Sequence, residues 1–188
     1  MILLSAHWIN AQVAEGATEV RPLLIGESVP DISILSMEGK REKLPAITTG
    51  KPSILLFYRG GWCPYCNRHL SDIAEVEDKI LKLGYQIIAI SPDSPEKLNT
   101  TFKKDELNYK LYSDGTGALS QAMGIAFKAP DRSLDRLIDY SDGQNEGYLP
   151  VPSVFVLNRE GRIVFEYVNP DYKVRLSGKL LVAVLEHL

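Results

Sequence analysis

The stretch Ser53-Ile-Leu-Leu-Phe-Tyr58 is apolar almost throughout, breaks at Arg59-Gly60-Gly61, and runs directly into Trp62-Cys63-Pro64-Tyr65-Cys66. A run of this length, apolar at successive positions rather than alternate ones, suits a central strand buried on both faces. Past the break, Leu70, Ile73, Val76, Ile80 and Leu83 recur at three- and four-residue steps, and Gly84 follows as a C-cap candidate. That spacing predicts one amphipathic helix. A doubly buried strand leading straight into such a helix needs a sheet covered by helices on both faces.

The remaining segments fit this frame. Asp31–Leu35 reads as a strand, followed by a turn at Met37-Glu38-Gly39-Lys40, and Tyr85–Ile90 as a second buried strand. Ser94-Pro95 has the N-cap and first-position residues of a helix reaching about Lys104. Lys110–Tyr112 is a short strand and Ala118–Met123 a short helix. Ser153–Leu157 and Arg162–Tyr167 form a hairpin around Asn158–Gly161. A last helix over Val174–Leu188 puts Leu176, Leu180, Val184 and Leu188 on one stripe, with Asp171 as its N-cap candidate. The stretch at about 124–150 is polar and turn-rich without a clear period, and reads as an insertion carrying a short helix or loop near a working face. The expected fold is α/β: a central mixed β-sheet with helices on both faces, a domain over residues 26–188 and an N-terminal extension over 1–25.

Bulk properties exclude some partners. Among 188 residues, 21 Lys and Arg against 24 Asp and Glu leave a net charge of -3, and no dense basic block occurs. No nucleic acid partner is expected from that balance. No membrane span is expected either, since no stretch approaches the roughly 20 apolar residues required. Residues 1–12 resemble the tail of a secretory signal peptide with Ala11 as a candidate cleavage site, but lack a basic n-region. A short helix or arm is the competing reading, which leaves cytoplasmic and exported locations both open.

The chain holds two cysteines, and both lie in the CxxC. So short a loop constrains the unfolded chain little, so the pair points to reversible chemistry rather than bulk stability. A helix N-terminus lowers a thiol pKa from about 8.5 through its unpaired N–H groups and dipole. Pro64 suits the first helical position, and Arg59, Arg68 and His69 add positive charge nearby. Cys66 lies on the buried stripe with Leu70 and Ile73, whereas Cys63 is expected at the open end. The accessible sulfur would attack and the sheltered one resolve. A zinc site would need four ligands, and His7, His69 and His187 are the only histidines, so no metal is expected. An inert pair of buried thiols is the other alternative.

A second feature is Pro150-Val151-Pro152-Ser153, directly before a strand. Proline at a strand start can be held cis facing the cysteines, leaving the Val151 backbone free to pair with an extended substrate. The local sequence leaves cis and trans open.

With these motifs together, the chain resembles the thioredoxin-like superfamily, and more closely the AhpC/TSA-type redoxins, peroxiredoxin-like proteins with a thioredoxin-style CxxC. The resemblance covers about residues 26–188 and rests on Phe57–Cys66 and Leu149–Gly161. It implies a cis bond before Pro152 and a redox-active Cys63–Cys66 disulfide without other cofactor. It also implies two competing activities. In the thioredoxin pattern Cys63 attacks protein disulfides or thiols and Cys66 resolves, with Trp62, Val151 and Pro152 helping to dock an extended partner. In the peroxiredoxin pattern, PxxxTxxC, Cys66 takes the peroxidatic position and reduces small hydroperoxides. Cys63 then replaces the threonine, Arg59 the proline, and Pro152 falls near the expected arginine. Both patterns imply an external thiol reductant of the thioredoxin type. The buried acid of thioredoxins is missing, with Leu56 or Phe57 in its place, so proton transfer needs water or another group. Tyr65 gives a glutaredoxin-like Pro-Tyr pair without a readable glutathione site, and Arg175 could reach the active face. A redox-sensing or binding module without turnover is a third reading.

Overall fold

The computed structural model describes residues 13–188, so the signal-peptide reading of residues 1–12 lies outside the described residues. The elements are β1 (Ser33–Ser36), β2 (Arg41–Lys43), α1 (Leu44–Thr48), β3 (Ser53–Phe57), α2 (Pro64–Ala74), α3 (Glu77–Lys82), β4 (Gln86–Ser91) and α4 (Pro95–Lys104). They continue as β5 (Lys110–Ser113), α5 (Ala118–Ala122), β6 (Ala126–Lys128), α6 (Asp131–Tyr140), β7 (Tyr148–Pro150), β8 (Ser153–Leu157), β9 (Ile163–Val168) and α7 (Gly178–Leu185). Seven strands form a mixed sheet in the order β2-β1-β5-β4-β3-β8-β9. β3 pairs parallel with β4 and antiparallel with β8, which places it inside the sheet.

Strand alternation explains why every residue of β3 is buried. Ile54 and Leu56 face one core with Leu70 and Ile73 of α2, Ile80 of α3, Leu98 of α4 and Leu181 of α7. Leu55 and Phe57 face the other, with Leu44 of α1 and Leu119 of α5. Successive side chains of a strand point to opposite faces, so an unbroken apolar run needs two cores. Burying each such side chain contributes about 1.5–3 kcal/mol. The strand that delivers the CxxC is thus one of the most firmly held segments.

Three expectations are corrected. The single helix expected up to Gly84 is two, because Val76 leaves helical geometry at φ -110 and ψ 4 and its N–H turns back to the Ile73 carbonyl. The apolar steps continue across the break, which is why spacing alone reads them as one helix. The last helix begins only at Gly178, capped by Ser177 rather than Asp171. Asp171 instead accepts from the Lys173 N–H in a local turn. The buried stripe is therefore Leu181, Val182 and Leu185, while Leu180 and Leu188 are exposed.

The segment at 124–150 has structure of its own. β6 and β7 pair antiparallel as a separate two-stranded sheet, with α6 between them. Phe127, Leu137, Leu149 and Val151 form a small third core. Ala14, Ala17 and Val20 of the N-terminal lead-in pack on it, and Ala14 exchanges backbone hydrogen bonds with Ala126 and Lys128.

Candidate active site

The strand-to-helix turn needs both of its glycines. Gly60 has φ +136, a region that L side chains avoid, and a Cβ there would overlap the Trp62 indole and the Asp93 carboxylate. A Cβ on Gly61 would overlap the Thr101 hydroxyl. The turn closes with the Cys63 N–H on the Gly60 carbonyl at 3.1 Å. Cys63 is the N-cap residue of α2, and Pro64 follows in the first turn. The Cys63 carbonyl accepts from the N–H groups of Cys66 and Asn67 at 2.9 and 3.1 Å. Cys66 lies one turn on, fully buried on the face that carries Leu70 and Ile73.

The two sulfurs occur as free thiols, with opposite electrostatic settings. The Cys66 thiol donates to Cys63, and this hydrogen bond is the largest effect holding the Cys63 pKa down, to about 6. The Cys66 N–H and the charges of Arg59 and Arg175 act in the same direction, against burial. Burial pushes the Cys66 thiol well up, and its proximity to Cys63 adds to that. Charge on the pair therefore belongs on Cys63 at neutral pH.

Cys63 is not openly exposed as expected, being 2% accessible. It lines a cleft of about 170 Å³ whose walls include Trp62, Tyr65, Tyr172 and three arginines, Arg59, Arg132 and Arg136. Cys63 is recessed because α6 and the segment around Tyr172 rise beside it, and neither is visible from the CxxC spacing. Cys66 does not line this cleft. Arg59 is buried and sandwiched, its guanidinium 5.0 Å from the Trp62 ring centroid and 4.3 Å from that of Tyr172. Its Nη2 donates to Ser133 Oγ of α6 at 3.3 Å, and its Nε has no partner among the described residues. Tyr65 meets Tyr172 edge to face at 5.6 Å. Trp62 packs against the first core and the third, joining the CxxC turn to the segment that holds α6.

Other expectations fare differently. His69 adds no positive charge: it is buried, its Nε2 sits 2.9 Å from the Leu176 carbonyl, and burial pushes its pKa down to about 4. Among the described residues no cluster of three or more His, Cys, Asp or Glu is placed to hold a metal. The bond before Pro152 is trans, since the described residues contain no cis peptide. Nor is the Val151 backbone free for a substrate strand. Its N–H donates to the Ile125 carbonyl at 2.8 Å and its carbonyl accepts from Ser153 Oγ at 2.7 Å. The fold itself uses the groups that docking would require. Arg175 does reach the active face, donating from Nη2 to Cys66 Sγ at 3.4 Å.

Asp93 is the residue that sequence reasoning missed. It follows β4, is fully buried, and accepts the Gly61 N–H at 2.7 Å. Burial pushes its pKa up to about 7, and Cys63 contributes in the same direction. An acid titrating near neutrality thus stands beside the CxxC turn, supplied by the neighbouring strand instead of β3. The only local signal was a carboxylate between a buried strand and a helix start, Ser91-Pro92-Asp93-Ser94.

The family model described as AhpC/TSA matches residues 25–166. A putative peroxiredoxin Bcp of Haemophilus influenzae is 28% identical over 171 residues, covering 90% of this chain and 100% of that protein. The thiol-disulfide oxidoreductase ResA of Bacillus cereus is 26% identical over 157 residues, covering 83% of this chain and 76% of that protein. In three dimensions the chain is similar to peroxidoxin BcpB of Mycobacterium tuberculosis, with TM-score 0.69 and 16% identity over 87% of this chain and 97% of that one. A peroxiredoxin-like protein of Aquifex aeolicus matches with TM-score 0.72 and 13% identity, over 89% and 88% of the two chains. The paired thiols, the mixed sheet and a family match over most of its length agree: the chain belongs to the AhpC/TSA family.

Proposed function

We propose that this thiol oxidoreductase works by thiol–disulfide exchange, with Cys63 attacking and Cys66 resolving. The carrying observation is the asymmetry of the pair: Cys63 lines the cleft with its pKa lowered to about 6, while Cys66 is buried away from it with its pKa raised. A thiolate is the nucleophile, and one with a pKa slightly below ambient pH is both ionised and reactive. Cys63 thiolate attacks one sulfur of a partner disulfide, forming a mixed disulfide and releasing the other half as thiolate. Cys66 then loses its proton and attacks Cys63, releasing the second thiolate and closing Cys63–Cys66. Two electrons pass to the partner, and an external thiol reductant restores the dithiol. Asp93, with its pKa near 7 and its carboxylate on the Gly61 N–H, is the proton acceptor beside this turn.

A second reading is favoured by the Arg175 contact to Cys66 and by the family. Here Cys66 thiolate attacks a hydroperoxide, leaving Cys66 sulfenic acid and an alcohol or water. Cys63 thiolate then displaces hydroxide, released as water, to close the same disulfide. Single Cys→Ser variants separate the two. Exchange by Cys63 leaves Cys66→Ser trapped as a stable mixed disulfide. Peroxide consumption that survives Cys63→Ser but not Cys66→Ser, with external thiol supplied, would overturn it.

A further inference from the structure

The cleft at Cys63 has a charge opposite to that of the chain. The whole chain carries -3, yet the cleft is lined by Arg59, Arg132 and Arg136, with no Asp or Glu among its described lining residues. None of these three arginines takes part in an ion pair among the described residues. Arg132 and Arg136 are four residues apart on α6, so they share one face of that helix. Arg59 is 6% exposed, and its Nε has no partner among the described residues. A guanidinium presents a planar fork of donors that matches a carboxylate, and partial burial strengthens that pairing. Trp62, Tyr65 and Tyr172 supply aromatic walls to the same cleft.

Size narrows the ligand. At about 170 Å³ the cleft is smaller than the roughly 300 Å³ at which drug-sized ligand pockets begin. Cys63 is recessed at its wall, so a slender disulfide reaches it more readily than one fixed on a folded surface. We propose that this cleft selects low-molecular-weight disulfides of carboxylate-bearing thiols, Arg132 and Arg136 of the insertion helix pairing the carboxylate while Cys63 attacks the sulfur. The proposal rests on the exchange reading. In the step itself, the Cys63 thiolate bonds to one sulfur, the S–S bond breaks, and the other half leaves as thiolate. The carboxylate is held and not consumed.

Three disulfides of similar size test this on the reduced full chain: 3,3′-dithiodipropionate (anionic), bis(2-hydroxyethyl) disulfide (neutral) and cystamine (cationic). Each rate is divided by that of free dithiothreitol with the same reagent, which removes differences in leaving group. The normalised anion-to-cation ratio should be about tenfold or more at low salt and fall steeply toward unity at high salt. In Arg132→Gln/Arg136→Gln, whose exposed positions on α6 keep the fold, that ratio should drop to within about threefold. Equal normalised rates for all three reagents in the unmodified chain would overturn the charge selection while leaving exchange intact. So would a ratio unchanged in the double variant. Failure to react with any of the three would overturn this proposal, whereas the exchange reading falls only if Cys66→Ser traps no mixed disulfide.

Discussion

Asp93 carries a pH-dependent stability that one substitution isolates. Burial raises its pKa from 3.8 to about 7, a shift of about three units. At about 1.4 kcal/mol per unit, this corresponds to about 4 kcal/mol. The folded chain holds this proton more tightly than the unfolded chain, so stability falls as pH rises from about 4 through about 7, then levels. Asparagine keeps an oxygen for the Gly61 N–H and cannot ionise. Asp93→Asn should therefore match its parent near pH 4 and exceed it by up to about 4 kcal/mol above pH 7. Both chains should carry Cys63→Ser, so that thiol titration is not superposed. That change removes only the smallest of the contributions acting on Asp93. Urea unfolding followed by tryptophan fluorescence from pH 4.5 to about 8.5 reads the difference directly. Two stability curves that stay parallel across this range would refute the reasoning, because a carboxylate solvated in the fold contributes no such slope.

Two further outcomes concern the turn. Thiolate absorbance at 240 nm should titrate with a midpoint near 6, and Arg59→Leu should move it upward by removing a nearby positive charge. Gly60→Ala should cost roughly 1–3 kcal/mol in urea unfolding, because φ +136 strains any residue with a Cβ and the Trp62 indole fills the space.

What was legible in the sequence was local. The run Ser53–Tyr58 becomes β3 because its apolar residues need two cores, and Pro64 sits in the first turn of α2 because it lacks the N–H that a helix start leaves unused. The hairpin of β8 and β9 follows from two apolar runs around Asn158–Gly161. What stayed hidden depends on contacts across the fold. Asp93 becomes a titrating group only when β4 ends beside the CxxC turn. The trans bond before Pro152 accompanies a Val151 N–H already used by Ile125, from the other side of the insertion. Helix α6 could be read only as a short helix or loop because just Leu134, Leu137 and Ile138 of its ten residues are strongly apolar, and Ile138 is exposed. The cleft needs α6 and Tyr172 to converge on Cys63, and residues so far apart in sequence have no shared period to read.

The parallel ladder between β3 and β4 sets the spacing of the reactive groups. Their register runs from Ser53↔Gln86 to Phe57↔Ile90, and the Tyr58 N–H adds a last bond to the Ile90 carbonyl. From that final rung Asp93 is three residues beyond Ile90 and Cys63 five beyond Tyr58. The acid and the thiol are therefore held as neighbours by short tethers from a common anchor, without any domain closure or loop search. A slip of one residue between these strands would turn the side chains to opposite faces and separate the pair. Substitutions deep in the sheet, with no contact to either sulfur, should thus appear first as altered thiol reactivity and only later as loss of the fold.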